Sequence, residues 1–459
     1  MKFKYLHEVS PDNYYLDHRL TPEVRALLCA QASRMPKGGI RQRYRELVSK
    51  VAASVEGVLL PSDPVIRAQA EDRLCEYPLH PVVQEFFDKN IGKYGHGSVL
   101  ELTGSPSVYT ENVSPYTAYL SFDSPLCSGQ EMSTRAVYIK DWPICREAKG
   151  DSELEDLHWD WLHIFEAEKD AWKERFSDPE IRKEYGIADD EPFRPAFDRA
   201  RWALPGTIAV GFSHTGHVRE RARVIRDAKL RAKDFAPALA VWEEVEATYR
   251  AAVPGIAKYG LREAVHSSSE VTRPPSHLDH TPHRRATGCW LLADELHAGV
   301  VPMRQGSKTY LDPEYNRHRV SVVINPSFAA ARDWHRHRTF YPWRMSFGRA
   351  PRLSAVYSPI ATSIAKVNKL MGRSANAYNR TYVHSYRGIL ALPLGTETTM
   401  AAAAGLRDAV YTLELRGKER GTNFEYRAQA QRLMRELRTG MEHQLGGAVT
   451  VAGILGDIP

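Results

Sequence analysis

The chain has 459 residues, 43% of them hydrophobic and 26% charged, the balance of an ordinary globular protein with room for two or more domains. It has no run of about eighteen apolar residues, which argues against a membrane span, and Met1–Glu8 lacks the apolar core of a signal peptide. Five cysteines with no CxxC pair point to a reduced, cytoplasmic setting. A net charge of +6 suits anionic ligands, and its spread along the chain, with no basic tail, argues against a nucleic-acid partner.

The first sixty residues carry no recognisable motif. Tyr94-Gly95-His96-Gly97-Ser98-Val99-Leu100-Glu101 is followed by a β-branched and aromatic run, Val108–Ser121, that reads as a strand. Next comes Ser128-Gly129-Gln130-Glu131-Met132-Ser133-Thr134-Arg135. Residues 146–200 read as an acidic helical insertion, with Trp159, Trp161, Leu162, Phe165 and Trp172 at helical spacing as a packed face. Arg201-Trp202-Ala203-Leu204-Pro205 leads over fourteen residues to Arg219, and an amphipathic helix is predicted over Ala236–Ala252. The stretch 263–285, rich in Ser and Pro, has linker composition. It divides the chain into residues 1–262 and 286–459.

The second part has a predicted strand over Val320–Ile324 and then Ala331-Arg332-Asp333-Trp334-His335-Arg336-His337-Arg338-Thr339. Leu390-Ala391-Leu392-Pro393 leads, again over fourteen residues, to Arg407, and a helix is predicted over Tyr426–Leu437. The shared spacing marks an internal repeat, in which each proline is expected to open a helical segment. The predicted class is α/β or α+β: two tandem domains, each a mainly antiparallel sheet packed with long helices.

These motifs together resemble the flavin-dependent thymidylate synthases (ThyX), whose signature reads R-H-R-x-x-S-x-N-E-x-S-x-R after H-x-[ST]-x-x-E. The resemblance covers roughly residues 90–260 and 315–437. It implies FAD as cofactor, NADPH and 5,10-methylenetetrahydrofolate as co-substrates, and a pyrimidine deoxynucleotide monophosphate as acceptor. By the same resemblance Glu131, Met132, Ser133, Arg135 and Arg201 hold the nucleotide, while His96, Ser98, Glu101 and Arg219 line the flavin. In the second part Arg336 matches a residue that touches both ligands. His337, Arg338, Thr339 and Arg407 match flavin contacts, and Arg416 matches the arginine on the pyrimidine base. Ser133 and Arg416 are the expected catalytic pair. No metal is implied.

The signature is divided between the halves. Asp123-Ser124-Pro125 stands where the first half needs Arg-His-Arg, and a carboxylate and a proline cannot supply two phosphate-binding forks. The second half has Trp343-Arg344 for Asn-Glu and Ile389 in the place of Arg201, and Ala228 stands where Arg416 stands. The expectation is a fused pseudo-dimer with one composite site, which two chains would build into a pseudo-tetramer. Asp333 replaces a family glutamine near the nucleotide. That leaves a second expectation, another pyrimidine such as dCMP or a hydroxymethyl product, and a third, a non-catalytic nucleotide- or nucleic-acid-binding relative.

Overall fold

The computed structural model describes residues 3–34, 39–56, 63–76, 79–89, 107–135, 137–187, 193–216, 218–252, 288–292, 303–305, 308–310, 318–341, 344–381, 385–418 and 423–444. Its N-terminal part comprises strands β1 (Leu6–Ser10) and β2 (Asn13–Leu16) and helices α1 (Pro22–Ala32), α2 (Gly39–Glu56), α3 (Pro64–Arg73) and α4 (Pro81–Phe87). The rest of the first half runs β3 (Ser107–Val113), α5 (Pro115–Ser121), β4 (Cys127–Glu131), α6 (Ser152–Arg175), α7 (Pro179–Glu184), α8 (Phe193–Ala200), β5 (Val210–Gly216), α9 (Val218–Ala232) and α10 (Ala236–Ala252). The second half runs β6 (Gly288–Leu292), β7 (Met303–Gln305), β8 (Lys308–Tyr310), β9 (Arg319–Ile324), α11 (Phe328–His335), β10 (Arg344–Phe347), α12 (Ile364–Arg380), α13 (Tyr386–Leu390), β11 (Thr398–Gly405), α14 (Leu406–Lys418) and α15 (Phe424–Gln444).

The class is a mixture of helices and antiparallel sheet. One sheet has the order β1-β2-β3-β5-β4 and the other β10-β11-β9-β6, while β7 and β8 form a hairpin ladder of their own. Within these sheets the halves share one plan. Strand, short helix and strand are followed by a long helix, then by a third strand that inserts between the first two, giving β3-β5-β4 and β9-β11-β10. Two helices close each half. Helix α6, expected as an insertion, therefore has a counterpart in α12. The two pack together, with Trp161 Nε1 donating to Ser374 Oγ at 2.8 Å.

Two local expectations need correction. The run Val108–Ser121 is not one strand: β3 ends at Val113 and α5 begins at Pro115. Ser114 caps that helix by accepting from the Thr117 N–H, and proline fits the first helical position because it has no N–H to strand. This Ser-Pro start overrides the β-propensity of Tyr116, Thr117 and Tyr119. Pro205 and Pro393, similarly, open turns and strands rather than helices, and the helices begin only at Val218 and Leu406. Helix α10 matches its expected span, and α15 contains the span expected of it.

The two Leu-Pro segments pair with each other. Leu394 N donates to Leu204 O at 2.8 Å, Gly206 N to Leu392 O at 3.0 Å and Gly395 N to Trp202 O at 2.8 Å, with Pro205 opposite Pro393. One continuous apolar core runs through both halves, from Val108 to Met441, and Trp161, Trp202, Trp242 and Trp334 all lie within it. Each such tryptophan withdraws on the order of 200 Å² from water, about 5 kcal/mol before conformational entropy is subtracted. Trp159, expected on the same packed face, is exposed instead. The N-terminal elements build a second core around Leu27, Tyr44 and Val51.

Candidate functional site

From the second half, Ser327 caps α11 by accepting from the Ala330 N–H, which fixes the phase at which Arg332 and Asp333 leave the helix. The helix stops at His335, and Arg336, His337 and Arg338 continue as a turn. From the first half, β4 ends at Glu131. Met132 N then bonds Gly211 O at 2.7 Å and Ser133 N bonds Ser33 O at 2.9 Å, so backbone hydrogen bonds anchor the start of the segment carrying Ser133 and Arg135.

These two segments meet. Arg332 Nη2 donates to Glu131 Oε1 as a fully buried ion pair, and Arg336 Nη2 donates to Gln130 Oε1. Arg338 Nη1 reaches Ser128 Oγ at 2.8 Å and the carbonyls of Cys127 and Pro125 at 3.1 and 3.2 Å. Arg201, buried under the Leu-Pro pairing, donates to Asp333 Oδ2 at 2.9 Å. Asp198 joins the sets, accepting from Arg135 Nε at 3.0 Å and Asn423 Nδ2 at 2.7 Å, with Arg201 Nε at 3.7 Å. Arg416 Nε donates to His337 Nε2 at 2.9 Å, so the ring proton of His337 resides on Nδ1.

The electrostatics follow from this packing. Burial works against the Asp333 carboxylate, but Arg201, Arg135 and Arg336 together outweigh it and hold the group ionised below its ordinary range. Burial, with Arg416 and Arg336 nearby, pushes His337 well below the usual imidazole value, so the ring is neutral near pH 7. Arg332 keeps two buried nitrogens, Nε and Nη1, without a hydrogen-bond partner among the described residues. Such atoms cost free energy unless an acceptor arrives.

The structure thus brings together Glu131, Met132, Ser133, Arg135, Arg201, Asp333, Arg336, His337, Arg338 and Arg416. Thr339 lies at the rim, exposed, with its hydroxyl 3.1 Å from that of Thr412. Arg407 is half-buried in the first turn of α14. His96, Ser98, Glu101 and the 263–285 linker lie outside the described residues, as does the side chain of Arg219. Sequence reasoning missed Arg332 and Asp198. The four-residue spacing of Arg332 and Arg336 was a legible sign of the first, whereas nothing marked Asp198 among the acidic residues around it.

The pseudo-symmetric location is different in kind. Counting from the two cap serines, Tyr119 stands where Arg332 stands, Leu120 where Asp333 stands and Asp123 where Arg336 stands. Counting from the two paired prolines, Ile389 replaces Arg201 and Ala228 replaces Arg416. Tyr119, Leu120, Ile389 and Ala228 are buried, and Tyr119 stacks on His335 at 4.1 Å. At these positions that location carries apolar groups, with the Asp123 carboxylate in the place of Arg336 and with Arg223 and Arg231 acting on that carboxylate.

Compared with protein-family models, with curated proteins and with solved structures, the chain matches none.

Proposed function

We propose that the chain is a flavin-dependent enzyme that transfers a one-carbon unit to C5 of a pyrimidine nucleotide, of the dUMP-to-dTMP type, at a single site composed of both halves. The two halves are read as tandem, diverged domains of the flavin-dependent thymidylate synthase kind. The observation that carries this is the meeting of two complementary half-motifs across the Leu-Pro pseudo-twofold. Glu131, Arg135 and Arg201 come from one half, Arg332, Asp333, Arg336 and Arg416 from the other, and the mirror-image location has lost both sets. In such a site the nucleotide lies against the first set. FAD is held by Arg336, His337, Arg338, Thr339 and Arg407, with His96, Ser98, Glu101 and Arg219 assigned by motif alone. The arginine surplus and the unsatisfied Arg332 nitrogens fit anionic, acceptor-rich ligands of this kind.

When bound, the flavin supplies hydride, taken from NADPH, while methylenetetrahydrofolate supplies the carbon. The chain's own residues position and polarise. Arg416 is aimed by His337 and suited to a uracil carbonyl, and Ser133 is held beside Arg135 with its Oγ 3.3 Å from the Arg135 N–H. Two chains would give four domains and two sites in the cytoplasm.

Asp333 favours a second reading. Its Oδ2 is engaged by Arg201, while Oδ1 has no hydrogen bond among the described residues. An ionised carboxylate oxygen accepts well from an exocyclic amino group, which cytosine has and uracil lacks. The decisive experiment is the absorbance spectrum of purified protein supplied with FAD, NADPH and methylenetetrahydrofolate. Reoxidation on adding dUMP supports the first reading and reoxidation only with dCMP the second. A protein that takes up no flavin is not this enzyme.

A further inference from the structure

Helix α15 opens against the composite site, and its first turn is pinned on both flanks. Asn423 caps it, accepting from Tyr426 N at 3.1 Å, and the same side chain donates to Asp198 Oδ1 at 2.7 Å. Glu425 accepts from Ser327 N at 2.8 Å and from Ser327 Oγ at 2.6 Å. Asp198 grips Arg135 and Arg201, and Ser327 caps the helix that carries Arg332 and Asp333. Tyr426 is therefore held in a fixed place between the two groups that organise the site.

The Tyr426 ring meets Trp334 edge-on at 4.3 Å and lies 5.9 Å from the His337 ring, with the Arg416 guanidinium 5.8 Å from its centre. The residue is 3% exposed, yet its hydroxyl has no hydrogen-bond partner among the described residues. A hydroxyl left in that condition costs free energy, and phenylalanine would fill the same space without the cost. Burial raises the hydroxyl above its ordinary range, so it stays protonated, and the charges acting on it are those of Arg416, Asp333 and Arg336. The two guanidinium groups can only donate, and Asp333, the acceptor of the three, makes no hydrogen bond with it. The Tyr426 proton is thus left for an acceptor that comes with a ligand.

We infer that Tyr426 is a base-binding residue of the composite site, its hydroxyl donating to an acceptor atom on the edge of the pyrimidine beside Arg416. This rests on reading the site as one for pyrimidine nucleotides. The acceptor is a carbonyl oxygen, which uracil and cytosine share, or the ring nitrogen N3, which accepts in cytosine and donates in uracil. The bond forms as the ligand seats, since contacts of this kind are often completed only in the complex.

The test is calorimetric titration of the full chain with dUMP, dCMP and deoxyribose 5-phosphate, which keeps the sugar and phosphate without the base. Wild type is compared with Tyr426→Phe and with the control Tyr411→Phe, an exposed tyrosine of α14. Loss of one neutral hydrogen bond should weaken the nucleotide about three- to ten-fold in Tyr426→Phe, while deoxyribose 5-phosphate and the control should be unchanged. The urea midpoint of Tyr426→Phe should hold or rise, a result that a merely structural hydroxyl would not combine with weaker binding. A loss with dCMP alone identifies N3 as the acceptor, and a loss with both nucleotides identifies a carbonyl. If Tyr426→Phe binds both nucleotides as wild type does, or loses deoxyribose 5-phosphate equally, or has a lowered urea midpoint, the proposal is overturned while the nucleotide reading stands. If wild type binds neither dUMP nor dCMP, that reading falls and the proposal falls with it.

Discussion

At the residue scale, the arginines are divided among three carboxylates, two of which, Asp333 and Glu131, join an arginine of the other half. Asp198 holds Arg135 and Arg201, Asp333 holds Arg201, and Glu131 holds Arg332. Arg135 and Arg336 lie 201 positions apart in sequence, yet both act on the Asp333 carboxylate, and the proposed function puts them in one site. Arg135→Ala and Arg336→Ala should therefore each abolish the same nucleotide-dependent flavin reoxidation. The double variant should lose little more than either single one, because groups acting as a unit are not additive. Full turnover in either single variant would refute the shared site. The buried Glu131–Arg332 pair supports a second prediction. Arg332→Met alone leaves a carboxylate uncompensated in the core and should cost about 3–5 kcal/mol. Adding Glu131→Leu should return most of that, measured as urea midpoints in a double-mutant cycle. An unrecovered double variant would show that the pair is not what stabilises this contact.

At the element scale, the paired Leu-Pro segments set the distance between the halves, and glycines make that approach possible. A Cβ on Gly395 would lie 2.7 Å from both Cβ and O of Trp202, beside Arg201. Gly395→Ala should accordingly force the segments apart, cost about 1–3 kcal/mol and weaken nucleotide binding through Arg201. Gly372, exposed within α12 with open space around it, is the control. There alanine should stabilise by about 0.5–1 kcal/mol, and equal melting temperatures for the two variants would show that the approach is not tight. These segments also show what the sequence could and could not disclose. The repeat was legible because both copies kept Leu-Pro and an arginine fourteen residues on, and the helices after it were legible from their periodicity. The strand between proline and helix was not read in either copy; in the second, beyond Thr398 and Thr399, Met400-Ala401-Ala402-Ala403-Ala404 carries no β-branched residue and is held in β11 by pairing with β9 and β10. The divided signature named most of the arginines that meet. It could not name their carboxylate partners, because Asp198 looks like any other charge on an exposed helix until the fold turns it inward.

At the scale of the whole molecule, the halves share one apolar core, and the fold buries neutral histidines. His158 sits between Trp142 O at 2.8 Å and Thr207 Oγ1 at 2.9 Å, and burial draws it down to about 4. Burial holds His214 and His337 well below their ordinary value too. In the unfolded chain each takes up a proton near pH 6.5, while in the folded chain none does until the pH is far lower. Stability is therefore full above about 6.5 and falls as the pH drops towards 4, by up to about 1.4 kcal/mol per pH unit for each group. The urea midpoint should fall between pH 7.5 and 5, and His158→Gln should flatten that fall; an unchanged midpoint in wild type would contradict it. Cutting the chain asks whether the core is truly common. Trp161 to Ser374, Thr117 to Tyr386 and the Leu-Pro pairing all join the halves through buried contacts. A protease site introduced within 263–285 and then cleaved should leave two fragments that elute together at the volume of the intact chain. They should also keep the flavin and nucleotide affinities of the uncut protein, since every contact that assembles the site is non-covalent across the cut. Fragments that separate, each folded on its own, would mean that the halves are independent domains and that the meeting of Arg336 with Gln130 is too weak to define a site.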